Sequence, residues 1–222
     1  MNYQFDFGPV MAGFPDLLRG CAGTFLLAMS GMVLATIVGI GGVMIRDSHL
    51  PPVRWVVKAF VEIIRYTPFL VQIYFIFFAL PFAGIRLDPT PTAIIALGIN
   101  GGAYAIGIIR GGVQAIPRGQ IEAGLALGLH KLQIFRLIIL KPAMRSIFPS
   151  LASQFILLTL TTSIASAISA YDLTYVGQRI ESESFKSFEV YGTITLMYLV
   201  ISSSLLVGLG WIRQRLFRYP VK

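Results

Sequence analysis

Five stretches of this chain contain no Asp, Glu, Lys or Arg: Gly20–Ile45, Tyr66–Ile85, Pro89–Ile109, Ser146–Tyr171 and Val190–Ile212. Each has 20 or more residues. A hydrocarbon core about 30 Å thick is crossed by roughly 20 helical residues. In lipid a segment must satisfy its own backbone polar groups, which selects helices for such runs. The expectation is an all-α membrane protein with five transmembrane helices. The alternative, a soluble bundle of buried helices, is opposed by composition. Charged residues make up 13% of the 222 residues, where an ordinary soluble domain carries about 25%. Mean hydropathy is +0.75.

Net charge is +8, but it does not gather on a compact soluble face, so the partner it points to is the lipid bilayer and not nucleic acid. A single cysteine, Cys21, excludes an internal disulfide and a thiolate metal cluster. The two histidines, His49 and His130, are far apart and lack neighbouring ligands, so no metal site is expected. There is no phosphate loop. No membrane-embedded His or Lys lies near Ser163 in sequence to activate it. The first apolar run lacks a small-x-small cleavage site and reads as a retained span.

Basic residues set the expected orientation. With Arg110–Arg145 inside, thirteen cations fall on that side: Arg46, Arg54, Lys58, Arg110, Arg118, Lys131, Arg136, Lys141, Arg145, Arg213, Arg215, Arg218 and Lys222. Four fall outside: Arg19, Arg86, Arg179 and Lys186. The positive-inside rule then puts the N-terminus outside and the C-terminus in the cytoplasm. Residues 1–19 read as an external arm, residues 20–212 as the membrane domain, and residues 213–222 as a basic internal tail. His49-Leu50-Pro51-Pro52 reads as a cytoplasmic turn, and Asp172–Glu189 as the longest external connection.

Within the spans, helix one covers about 20–45, with Gly23, Gly31 and Gly39 at eight-residue spacing for close helix approach. Helix two starts near Val53. Its Lys58, Glu62 and Arg65 share one face, either as a solvated stripe with Glu62 paired to Lys58 or Arg65, or as part of a polar route. Pro68 is expected to kink this helix after Thr67, with Gln72 one turn beyond. Helix three, to about Ile109, has a loose polar centre at Asn100 and Tyr104. Helix four, about 147–170, carries Thr161, Thr162 and Ser163 near mid-span, read as close packing or cavity lining. Helix five, about 190–212, reads as scaffold.

The segment 116–145 is the basic interruption between two spans. Pro117 can open a helix. Ala123, Gly124 and Gly128 make it slim, while Leu125, Leu129, Leu132 and Phe135 form an apolar stripe. Such a helix can seat in a groove of another protein, or rest on its own bundle.

Glu122-Ala123-Gly124 with Gly128 and Ile138-x-Leu140 resembles the EAA loop of ABC importer permeases. Ala103-Tyr104, Arg110-Gly111-Gly112-Val113-Gln114-Ala115-Ile116-Pro117-Arg118-Gly119-Gln120, Arg65-Tyr66-Thr67-Pro68-Phe69-Leu70-Val71-Gln72 and Phe188-Glu189-Val190-Tyr191 resemble the polar amino acid permeases, the histidine/glutamine/glutamate type. The resemblance covers nearly the whole chain. It implies the type I (MetI-like) importer fold with a cytoplasmic coupling helix, in a bacterial inner membrane, and a non-catalytic subunit. The implied partners are a second, homologous permease subunit (a heterodimer is expected), a cytoplasmic ATPase dimer that binds the ATP and Mg²⁺, and a periplasmic amino-acid-binding protein. It implies coupling through Glu122, Ala123, Gly124, Gly128, Leu129, Leu132 and Phe135. The translocation route is expected at Glu62, Arg65, Thr67, Gln72, Asn100, Tyr104, Thr161, Thr162 and Ser163. The family often has Ala-Glu where this chain has Ile106-Gly107, and Lys-Asp where it has Leu160-Thr161. A route so poor in charge fits a partner that holds the ligand contacts, or a substrate needing fewer charges. Gly124 replaces a usual Ala, and Lys141-Pro142 suggests a helix stop shifted by one residue. Other readings are an ion-coupled secondary carrier, which would need buried coupling charges, and a non-transporting scaffold.

Overall fold

The computed structural model describes residues 3–46 and 50–216. His49 and the tail residues Arg218 and Lys222 lie outside the described residues. In chain order the helices are α1 (Gly8–Ala12), α2 (Phe14–Arg46), α3 (Pro51–Tyr66), α4 (Phe69–Ala79), α5 (Pro89–Gln114), α6 (Arg118–Ala126), α7 (Lys131–Gln133), α8 (Leu140–Thr161), α9 (Leu173–Ser184) and α10 (Ser187–Leu216). A π-helical turn, Ile134–Ile139, joins α7 to α8, and a 3₁₀ segment, Thr162–Ile168, extends α8. Four continuous helices are long and apolar enough to cross a membrane: Phe14–Arg46, Pro89–Gln114, Lys131–Ile168 and Ser187–Leu216. Pro51–Tyr66 followed by Phe69–Ala83 is long and apolar enough only as a pair, bent by 111°, in the form of a broken span or a re-entrant loop.

Several helix boundaries differ from those read off the charge-free runs, for one reason. A charge ends the apolar run but not the helix, because charged side chains at a span's ends reach the headgroups while the backbone ladder continues. So α2 begins at Phe14, inside the expected arm, with Asp16 in its first turn where an acidic group suits the dipole. α5 runs on to Gln114, and α10 to Leu216. The span expected from 147 is one helical path from Lys131. The helix does not stop at Lys141-Pro142, for Pro142 lies in the first turn of α8. The π turn just before it widens the helix and makes room for a ring that would otherwise strike the preceding carbonyl. The expected loop Asp172–Glu189 is mostly the amphipathic helix α9.

The bundle centre packs α2 against α5, with α4 and α8 closing it. Leu27, Ile73, Leu97, Phe155 and Leu158 are buried there together. A second cluster, Val10, Leu17, Leu173, Val176, Val190 and Ile194, ties α1, α9 and α10 to the start of α2. Only 6% of the apolar window of α10 is buried within the chain, so this helix turns its sides to lipid or to another subunit.

Two of the spaced glycines mark where backbones come closest. A Cβ on Gly23 would stand 2.5 Å from the Tyr171 carbonyl oxygen, and one on Gly39 would stand 2.7 Å from Ala105 Cβ. A backbone oxygen cannot swing aside. Gly23→Ala is therefore expected to cost about 1–3 kcal/mol as an overpacking change. Gly111→Ala, in open space on a helix, is expected to be neutral or to stabilise by up to about 1 kcal/mol. Thermal unfolding of the two variants in detergent checks this, and equal midpoints would contradict it.

Candidate functional site

The first candidate site is a corner at the end of α6. Ile116 is buried and Pro117 is extended, so the chain turns sharply after α5 and α6 starts at Arg118. The helix ends in a double closure: Gly128 N donates to Leu125 O at 2.9 Å and Leu129 N to Gly124 O at 3.0 Å. This closure needs a left-handed residue between the helix and its exit, and Gly128 has φ 77°. His130 then opens α7 with a reciprocal cap: its Nδ1 accepts from Gln133 N, and Gln133 Oε1 accepts from His130 N. Two short helices thus meet at a corner fixed by its own hydrogen bonds.

The expected coupling residues divide on this corner. Glu122, Ala123, Gly128, Leu132 and Phe135 are exposed, Leu129 is half-buried, and Gly124 is buried. Gly124 faces inward, where an added methyl would come 2.6 Å from Ile138 Cδ1. Gly124 thus lets α6 lie flat on Ile134 and Ile138. Leu127, 80% exposed beside Gly128, belongs to the outward apolar surface with Leu125, Leu132, Phe135 and Leu137. Leu127 falls outside the three- and four-residue spacing of the stripe, so periodicity did not select it. Its position next to a turn glycine is the signal that could have.

The second candidate site is a groove near mid-span, with a cavity of roughly 300 Å³ lined by Thr67, Asn100, Tyr104, Gln154 and Thr161 on a floor that includes Leu97 and Leu158. The break between α3 and α4 builds one wall. Gln72 Nε2 lies within hydrogen-bond reach of Ile64 O (2.8 Å), Thr67 O (3.0 Å) and Thr67 Oγ1 (2.8 Å), taking up carbonyls that Pro68 leaves without donors. Asn100 Nδ2 donates to Gln72 Oε1 at 2.9 Å and fixes the break to α5. The Arg65 guanidinium stacks over the Tyr104 ring, 5.1 Å from its centroid. Gly107 leaves the space beside it open: a Cβ there would lie 3.9 Å from Arg65 Nη1.

Of the expected route residues, Arg65, Thr67, Gln72, Asn100, Tyr104 and Thr161 come together here. Glu62 pairs with Lys58 at 3.8 Å on an exposed face of α3, away from the groove. Thr162 is buried and donates to Thr159 O, and Ser163 donates to Leu160 O. Neither lines the cavity. Gln154 does, although the sequence offered only a lone amide in an apolar stretch.

At the other end of the bundle Asp172 caps α9. Its Oδ1 accepts from Tyr175 N at 2.8 Å, and its Oδ2 accepts from Tyr198 Oη at 3.1 Å. Burial pushes its carboxyl up to about 6, against the opposing pull of the hydrogen bonds from Tyr175 and Tyr198. A carboxyl raised in the folded state from 3.8 to about 6 adds stability that is fully present below 3.8 and lost as pH rises through about 6. Asp172→Asn keeps the cap and removes the titration. The wild type is expected to lose up to about 3 kcal/mol between pH 4 and 7, with the Asn variant flatter by that amount in thermal unfolding across this range. Parallel pH profiles would contradict it.

Comparison with known proteins identifies the family. The family model described as "Binding-protein-dependent transport system inner membrane component" matches residues 31–218. The glutamine transport system permease protein GlnP of Escherichia coli (strain K12) is 35% identical over 217 residues, 97% of each chain. The L-cystine transport system permease protein TcyB of Bacillus subtilis (strain 168) is 37% identical over 221 residues, 99% of this chain and 92% of that one. A solved amino acid ABC transporter, determined with histidines, superposes with a TM-score of 0.89 at 30% identity, covering 96% of this chain and 100% of the other. The MetNI methionine ABC transporter in an inward-facing form shares the fold, with a TM-score of 0.70 at 21% identity and coverage of 94% and 96%. The family model covers most of the chain and the relatives nearly all of it, and the chain belongs to the family of binding-protein-dependent transport system inner membrane components.

Proposed function

We propose that this chain is the permease subunit of an ATP-driven importer of polar L-amino acids, and that the mid-span groove carries the substrate. The observation that carries the reading is the convergence of Thr67, Asn100, Tyr104, Gln154 and Thr161 around one small cavity in an otherwise apolar bundle, with Arg65 stacked on Tyr104 at its edge. Ionisable and amide groups at this depth are costly unless used. Arg65 stacks on Tyr104 and, among the described residues, has no carboxylate within salt-bridge distance. It is placed to meet a substrate carboxylate, while the amides and Thr161 offer donors and acceptors to a neutral polar side chain. The glutamine and cystine assignments of relatives at 35% and 37% identity support the substrate class without choosing within it.

The corner around Gly128 is the coupling element in this reading. Its outward Leu127, Leu132 and Phe135 seat in a groove of a cytoplasmic ATPase, which binds the ATP and Mg²⁺. This chain supplies no hydrolytic group. A periplasmic binding protein delivers substrate at the opposite face, with the N-terminus periplasmic, the C-terminus cytoplasmic, and the bacterial inner membrane around the spans. The sparsely buried α10 and the charge-poor route suit pairing with a second, non-identical permease subunit. The binding energy of ATP and ligand biases one of two packings of the assembly.

Purification with the native partners and reconstitution in liposomes tests this. ATP-dependent accumulation of a radiolabelled polar amino acid that requires the binding protein is the expected result. Uptake that follows an ion gradient without ATP would overturn it in favour of a secondary carrier, and no uptake by the intact assembly would favour a scaffold.

A further inference from the structure

A third cavity lies at the membrane face that carries the Gly128 corner, where α2 ends, α3 begins and α5 nears its end. It holds roughly 510 Å³ and is lined by Arg46, Pro51, Arg54, Trp55, Lys58 and Arg110. Four cations from three helices thus face one space; Lys58 also pairs with Glu62 at 3.8 Å, but no carboxylate among the described residues lines the cavity itself. Like charges brought this close repel one another, and surface solvation would be served as well by cations spread apart. Arg110 is held in place on its own helix. In the orientation its neighbours favour, the Gln114 amide oxygen accepts from Arg110 Nη2 and Nε at 3.2 Å. Lys58 Nζ sits 5.3 Å from the centroid of the Trp55 ring, and that ring is 68% exposed. An exposed indole at a helix end fits the headgroup layer.

We propose that this cavity binds the phosphodiester of an anionic phospholipid headgroup, with Arg54 and Arg110 as the principal phosphate ligands and Trp55 packing against the glycerol. Guanidinium forks match two phosphate oxygens each. Met44 and Ile45 of α2 and Val56 of α3, neighbours in sequence of the lining residues, are exposed apolar groups, a surface on which the acyl chains of a bound lipid can stay in the bilayer. A basic pocket between spans on the cytoplasmic side is the kind of place where such headgroups gather. A bound headgroup would fasten the ends of α2, α3 and α5 to one another, next to the segment that leads into α6.

The test uses the whole transporter with its partner subunits, in detergent, titrated with phosphatidylglycerol or phosphatidylcholine and read by native mass spectrometry. Phosphatidylglycerol is expected to be retained and phosphatidylcholine not. Arg54→Gln with Arg110→Gln is expected to weaken retention about fivefold for each charge removed. Arg213→Gln with Arg215→Gln, at the end of α10, is expected to change it less than twofold. Equal losses in both pairs would mean a diffuse positive surface and overturn the site. Displacement of the lipid by millimolar inorganic phosphate would also overturn it, assigning the cavity to a soluble anion. Should the Gln pair fail to assemble, Arg54→Lys with Arg110→Lys must weaken retention of phosphatidylglycerol more than about twofold while keeping it above that of phosphatidylcholine, since an ammonium keeps the charge but lacks the planar fork, and Lys58→Gln must weaken it about fivefold. Failure of either expectation would count against the proposal.

Discussion

Gly128→Val is expected to abolish most of the ligand-stimulated ATP hydrolysis of the assembled transporter while leaving membrane insertion intact. Gly128 sits at φ 77°, where a β-branched residue is strongly disfavoured. Strain of this kind costs about 1–3 kcal/mol, enough to open the double closure formed by Gly128 N and Leu129 N on the end of α6. The helix could then leave its fixed angle to α7, and the outward surface of Leu127, Leu132 and Phe135 would no longer be presented as one face. An added Cβ at Gly128 meets no atom of this chain within 4 Å, so two causes can be told apart. Gly128→Asn tolerates the left-handed region, and should retain most stimulation if the backbone is what matters. If Asn fails as Val does, the partner approaches too closely to admit a side chain. Full stimulation in the Val variant would remove the coupling role from this corner.

The second large effect is expected at Arg65. Gly107→Glu would put a carboxylate within reach of Arg65, since the Cβ alone lies 3.9 Å from Nη1. The substitution is expected to raise the KM for uptake by tenfold or more, because the new partner takes Arg65 away from the substrate. A hydrogen bond to a charged group contributes about 1.5–3 kcal/mol. Arg65→Ala should give a loss of the same order, and the two changes together should be no worse than either alone. Arg65→Lys should recover only part, since an ammonium lacks the planar fork. Unchanged uptake kinetics in Gly107→Glu would show that Arg65 does not touch the substrate. Additive losses would mean that the two positions act separately.

The five apolar runs are legible because the bilayer demands them, and they correspond to four continuous helices and one bent helix pair. What composition did not reveal was how far each helix continues. Arg19, Arg110 and Arg213 end an apolar run without ending a helix, since backbone hydrogen bonds are indifferent to a charge at the headgroups. α9 was hidden for the opposite reason. A 12-residue amphipathic helix rich in charge looks like a loop until Asp172 is seen capping it. Pro68 was readable as a kink, but not as a 111° turn, because the turn depends on Gln72 being free to satisfy the carbonyls at the break. In the groove, Thr67, Asn100, Tyr104 and Thr161 stood out as polar groups in apolar helices. Glu62 looked equally promising, but its position along α3 puts it beside Lys58. Glu189 was read as an external acidic residue. The fold buries it and gives it the Tyr3 hydroxyl and the Asp6 backbone N–H, a long-range pairing that local sequence does not contain.

The break at Thr67-Pro68 carries a mechanical consequence. A proline gap in a membrane helix is commonly a loose joint, because its orphaned carbonyls exchange partners among water and neighbouring side chains. Here one amide, Gln72, satisfies the carbonyls on one side of the gap and holds Asn100 of α5 on the other. The corner therefore behaves as a bracket and not as a hinge. A push that reaches α5 from the end that leads into α6 is delivered to α4 as a whole-body tilt. The groove would widen or narrow by leverage, with its lining residues keeping their places relative to one another.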